Sequence, residues 1–185
     1  MAYKSAEANV KGVIKTDDAT IEIDAMGYSD TNWGEFLPFF SKYEWGQYND
    51  EKISFIFGVL YKLLKIQSTY FYLIIDRKIV WLENPKFSIK HKIWGASGHN
   101  RIKIPLESEF VACDKQFSIR FTSRLINNDL LGLKISALLP KSVISEQIVE
   151  YKGVIEKNGK AVYEFDGLGF QEWSIKTYKE TPIVF

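Results

Sequence analysis

Residues 116–126 read Gln116-Phe117-Ser118-Ile119-Arg120-Phe121-Thr122-Ser123-Arg124-Leu125-Ile126. Phe117, Ile119, Phe121, Ser123 and Leu125 share one face, and Ser118, Arg120, Thr122 and Arg124 share the other. That period of two marks a strand with one dry side and one wet side. The pattern recurs outward in both directions. Residues 86–94 set Phe87, Ile89, His91 and Ile93 against Ser88, Lys90 and Lys92. Leu131, Leu133, Ile135, Ala137 and Leu139 form another apolar face, and Ala161, Tyr163 and Phe165 alternate with Val162, Glu164 and Asp166. Further strands are expected over 10–15, 20–25, 41–48, 52–62, 69–76, 78–83, 101–106 and 144–156. Residues 57–66 and 143–148 also admit a short helical reading.

Turn-forming residues separate these runs: Thr16-Asp17-Asp18, Tyr48-Asn49-Asp50, Asp76-Arg77, Asn84-Pro85, Asn127-Asn128-Asp129 and Lys157-Asn158-Gly159. Asn158-Gly159 between two strand patterns is the strongest short hairpin signal. The spacings are those of an antiparallel meander. So many short strands must hide their edges, and closure into a barrel is the usual solution. A barrel of roughly eight to ten strands leaves room for one small ligand. The sequence therefore predicts an all-β, antiparallel, lipocalin-like (calycin) barrel, with a two-sheet β-sandwich as the alternative. No repeat or linker divides residues 1–185, so a single domain is expected.

Composition narrows the function. The 13 Phe, 10 Tyr and 5 Trp suit pleated surfaces and apolar pockets. A net charge of +1 gives no global attraction for nucleic acid or an anionic membrane. Lys86, Lys90 and Lys92, near Trp81 and Trp94, read as a solvated strand face rather than a platform for single-stranded nucleic acid. One cysteine, Cys113, suits a reducing compartment, and neither a secretory leader nor a membrane-spanning run is evident, so a cytoplasmic protein without an integral membrane segment is expected. Two histidines, His91 and His99, do not make a three-ligand metal site, and no nucleotide or cofactor fingerprint is present; no metal and no cofactor are expected.

Chemistry concentrates in Ala25-Met26-Gly27-Tyr28-Ser29-Asp30-Thr31-Asn32-Trp33-Gly34-Glu35-Phe36-Leu37. Within its Tyr28–Trp33 cluster one carboxyl, that of Asp30, stands among aromatic rings. Burial against rings holds a carboxyl in its acid form near neutral pH, and ring faces stabilise a developing cation. The same residues also form an ordinary turn, since Asp and Asn favour turns.

Gly27-Tyr28-Ser29-Asp30-Thr31-Asn32-Trp33-Gly34, followed by Tyr43-Glu44-Trp45-Gly46, resembles the G-Y-x-D-x-x-W-G … W-x-W signature of the carotenoid 1,2-hydratase/AttH-like lipocalin-fold superfamily. Glu150-Tyr151-Lys152-Gly153-Val154 and Gly167-Leu168-Gly169-Phe170-Gln171-Glu172 are similar to its closing Y-x-G … G-x-G-Y-x-E pattern, with Phe170 in place of Tyr. The resemblance implies a lipocalin-like barrel acting, without a cofactor, as a hydratase, cyclase or isomerase on a terpenoid, polyene or polyketide-like molecule. It implies that Asp30 protonates a carbon–carbon double bond, while Tyr28 and Trp33 line the pocket, orient Asp30 and stabilise the carbocation. Asn32, Trp45, Phe57, Phe121 and Glu172 are the candidate substrate contacts, Trp45 and Glu172 by motif position alone. Thr31 stands where many relatives carry His, which removes a proton relay through that position. The resembling hydratases have two barrel-like halves, and 185 residues have room for one. A homodimer supplying the missing wall, a smaller pocket of its own, and lost catalysis all fit that difference. Alternative functions are a non-catalytic binder of a small apolar ligand and a barrel filled by its own side chains.

Overall fold

The computed structural model describes residues 2–31, 42–61, 67–82, 85–98, 101–133 and 141–177. Among them the regular elements are all β-strands. β1 (Ala2–Lys15) and β2 (Thr20–Thr31) pair as a long antiparallel hairpin that forms its own sheet. β3 (Lys42–Asn49), β4 (Ile53–Tyr61), β5 (Gln67–Ile75), β6 (Lys78–Val80), β7 (Lys86–Ser97), β8 (Ile102–Cys113), β9 (Phe117–Leu133), β10 (Lys141–Lys157) and β11 (Lys160–Thr177) form one antiparallel sheet. Its order is β6-β5-β4-β3-β11-β10-β9-β8-β7. Two meanders are thus joined where β3 pairs with β11, Tyr48 opposite Gly169 and Glu44 opposite Trp173. No helix among the described residues is long and apolar enough to cross a membrane.

The sheet is strongly coiled, as connectivity requires. Laid flat, nine strands would span roughly 38 Å at ~4.8 Å per interval. The outermost strands, β6 and β7, are consecutive in the chain, and Val80 to Lys86 can reach only roughly 22 Å. Ring contacts confirm the curvature. Phe57 on β4 and Phe110 on β8, five strands apart in the order, lie 4.9 Å between centroids. Phe71 on β5 and Phe87 on β7 lie at 5.6 Å.

One end of this coil carries the tight turns. Asp76 and Arg77 adopt φ of 47° and 62°, and Asn158 and Gly159 adopt 52° and 76°, as two-residue hairpins require. At Asp50 and Asp114 the side-chain oxygen instead accepts from two backbone N–H groups that follow it, those of Lys52 and Ile53 and those of Gln116 and Phe117. The other end carries the start of β3 and the ends of β4 and β9.

Three local expectations change. Residues 57–61 and 143–148 are strand, because both sit in ladders with neighbours on either side. Asn127-Asn128-Asp129 does not turn: these residues pair with Ile148, Gln147 and Glu146 within β9. The pairing steps from Leu125 to Asn127, so Ile126 forms a bulge and the turn residues are absorbed into a kinked long strand. In β7, register slips after His91 leave Ile93 46% exposed instead of buried beside Phe87.

One glycine from each quoted stretch, Gly46 and Gly169, has a physical reason. Tyr151 is fully buried, and a Cβ at Gly169 would stand 2.6 Å from its ring carbons. A Cβ at Gly46 would stand 2.6 Å from the Tyr151 hydroxyl and from the Phe57 ring. Gly46→Ala and Gly169→Ala are each expected to lower unfolding free energy by about 1–3 kcal/mol through overpacking. Gly12→Ala, where an added methyl meets nothing within 4 Å, should leave stability unchanged or raise it by up to about 1 kcal/mol. Urea denaturation of the three variants checks this.

Candidate functional site

The concave face has three zones. Toward the tight turns, Phe55, Phe57, Phe110, Phe121, Tyr151 and Phe165 pack ring on ring, Phe121 lying 4.6 Å from Phe110 and 4.8 Å from Phe55. Each such buried ring contributes roughly 1.5–3 kcal/mol. Above this plug comes a polar layer of Glu44, Ser108, Ser123, Ser145, Gln147 and Gln171, all buried. Ile102, Ile104, Val143 and Trp173 form a smaller apolar wall beyond it.

The chemistry of the polar layer centres on Glu44. On β3, Glu44, Gly46 and Tyr48 alternate inward, which drives this carboxylate into the coil with its side chain wholly unexposed. Tyr61, the last residue of β4, donates its hydroxyl to Glu44 Oε1 at 2.5 Å. His91 Nε2, reaching across from β7, lies 3.1 Å from the same oxygen, and His91 Nδ1 lies 2.8 Å from Ser108 Oγ. With a neutral ring, the arrangement that satisfies every contact has Ser108 donating to Nδ1 and Nε2–H donating to Glu44. The imidazole is 13% exposed and sits edge-on between two indoles, 4.8 Å from Trp94 and 5.0 Å from Trp173. Glu44 Oε2 has no hydrogen-bond partner among the described residues, and neither has Trp173 Nε1.

A fully buried carboxylate costs several kcal/mol unless partnered, so its neighbours must compensate. Their protons are held tightly in return. Burial first, then the Glu44 charge and the hydrogen bond to it, pushes the Tyr61 hydroxyl well above the ordinary tyrosine range. Burial also raises Tyr151, with Glu44 adding to the effect. On the opposite face of β3, Tyr43 donates to Glu172 Oε2 at 2.8 Å, and burial, followed by the Glu172 charge and this bond, raises it too.

The residues singled out in the sequence fall in several places. Trp45 and Glu172 are cross-strand partners, so the two signature stretches meet in the β3–β11 ladder, and Trp45 lies edge-on to Phe170 at 6.0 Å. They occupy the convex face, opposite to Glu44. Phe57 and Phe121 belong to the ring plug. The backbones of Tyr28 and Asp30 lie on β2, Asp30 paired with Tyr3, so this stretch is strand where a turn was the competing reading. Asn32 and Trp33 lie outside the described residues. Glu44, Tyr61, His91, Ser108, Trp94 and Trp173 were not anticipated as a group. The available signal was a histidine and a glutamate, each at an inward position of a strand. Among the described residues, no three His, Cys, Asp or Glu side chains are grouped to hold a metal ion. No family model matches this chain, and no curated protein matches it.

The tyrosine shifts fix an alkaline response. A tyrosine whose folded pKa is raised keeps its proton more readily when folded. Its stabilising contribution is complete below the unfolded value of about 10 and is lost as pH climbs past it toward the folded value. Urea midpoints should therefore be insensitive to these tyrosines below about pH 10 and fall above it, with a shallower fall in Tyr61→Phe.

Proposed function

We propose that the coiled nine-stranded sheet works as a lipocalin-like barrel, plugged by aromatic rings at one end and receiving a small, largely apolar, unsaturated molecule at the other. We read the protein as a cofactor-free hydratase, cyclase or isomerase that acts by proton transfer to a carbon–carbon double bond. The observation that carries this reading is the buried Glu44, with Tyr61 and His91 holding one oxygen and the His91 ring packed edge-on between two indoles. Acid–base groups in a dry, aromatic setting are what such chemistry requires: a donor for the alkene carbon, and rings that stabilise the resulting cation. The cation then loses a proton from a neighbouring carbon, or takes water and releases one. The resemblance of residues 27–34 adds Asp30 as the acid that starts the reaction, with Tyr28 and Trp33 beside it. Glu44 and His91 are the interior pair able to accept or return a proton.

Deuterium uptake tests this. Terpenoid and polyene alkenes incubated with the protein in heavy water should acquire deuterium at carbon, as read by mass spectrometry. Asp30→Asn and Glu44→Gln should each reduce the rate about 10²–10⁴-fold, the usual contribution of a positioned acid or base. Uptake that survives both substitutions overturns the assignment. Tight binding without uptake, read as an indole fluorescence change, would leave a ligand carrier in its place.

A further inference from the structure

The proposed reading leaves the polar end of the ligand unspecified, and two atoms where the polar layer meets the apolar wall specify it. Glu44 and Trp173 are directly opposite in the β3–β11 ladder, so their side chains leave the same face at about 5 Å separation. Both are at least nine-tenths buried, and each has a polar atom without a partner among the described residues: the acceptor Glu44 Oε2 and the donor Trp173 Nε1–H. Isolated buried polar atoms of this kind cost about 1–3 kcal/mol each, so their coincidence at one ladder position points to a shared occupant.

We infer that Glu44 Oε2 and Trp173 Nε1 form a subsite for the hydroxyl group of a largely apolar alcohol. The pairing selects the group. A carboxylate would be repelled by Glu44, an ammonium offers nothing to the indole N–H, and a carbonyl or ether oxygen uses the indole alone. A hydroxyl accepts from Trp173 and donates to Glu44 at once. The surroundings select the rest of the molecule. Trp173 belongs to the apolar wall with Ile102, Ile104 and Val143, away from the ring plug, so a hydroxyl held here leads into apolar surface. The alcohol enters head first. This rests on the proposed reading of the coil as a ligand-holding barrel.

Octanol and its methyl ether are the probes, with binding to the full chain followed by calorimetry. Glu44→Gln should weaken octanol about tenfold and leave the ether within about twofold, because only the alcohol donates to Oε2. Trp173→Phe keeps the ring, drops the N–H, and should weaken both probes about equally, again about tenfold. Denaturation midpoints establish that each variant folds, and should Glu44→Gln fail to fold, the Trp173→Phe result decides. Octanol affinity unchanged in both variants overturns the subsite while the barrel reading stands. Failure of the unaltered protein to bind either probe overturns both.

Discussion

The ladder between β3 and β11 is the contact on which the rest of the structure depends. It is short, from Tyr48 opposite Gly169 to Glu44 opposite Trp173, and among the described residues it is the one backbone ladder that joins the β3–β6 meander to the β7–β11 meander. Tyr151, reaching in from β10, lies across both of its strands. Its ring rests on Gly169, and its hydroxyl, tucked against Gly46, donates to Phe170 O or Gln171 Oε1, each at 3.3 Å. Two positions without a Cβ therefore let one phenol fasten three strands. Any side chain there would separate the tyrosine from the backbone it covers.

The same ladder sets the site. Strand alternation sends Glu44 and Trp173 to the concave side and Trp45 and Glu172 to the convex side, so one pairing register positions a buried acid and an outer tyrosine–carboxylate contact together. A slip of one residue would exchange the two pairs. It would place Trp45 where Tyr61 and His91 now meet a carboxylate. The Tyr151 contact prevents the slip, since Gly46 and Gly169 must both stay beneath it. Stability and chemistry thus share one constraint, which explains why Gly46 and the acid Glu44 occur within three residues of sequence.

The fold was largely legible, and the reasons are physical. Alternation in 117–125 survives in the structure because that strand has one buried and one wet face. It was less informative in β4, where Ile53 to Val59 is buried on both sides, so the apolar run also fitted a helix. Asn127-Asn128-Asp129 was misleading because a bulge uses the same residues as a turn. The site was legible only in pieces. Glu44 lay inside a quoted motif without a role, and His91 stood on an apolar face. Nothing local announces that β3 and β7, with four strands between them in the sheet order, meet through the coil. That encounter is a product of curvature, and curvature is set by the whole sheet.

Curvature also explains why one oxygen of Glu44 differs from the other. Oε1 is held from two directions, by Tyr61 from the neighbouring strand and by His91, which reaches it across the coil from the far wall. Such double anchoring fixes the carboxylate before any ligand arrives, and pre-fixed dipoles need no reorganisation when charge develops nearby. Oε2, on the same rigid group, is left to the interior. Because the ring plug fills the tight-turn end, any molecule that used this oxygen would have to come from the opposite side, past Trp173 and the apolar wall. On the proposed reading the plug, the anchored carboxylate and the indole N–H therefore act as one orienting device, in which the fold fixes the direction of entry and the paired polar atoms fix its depth.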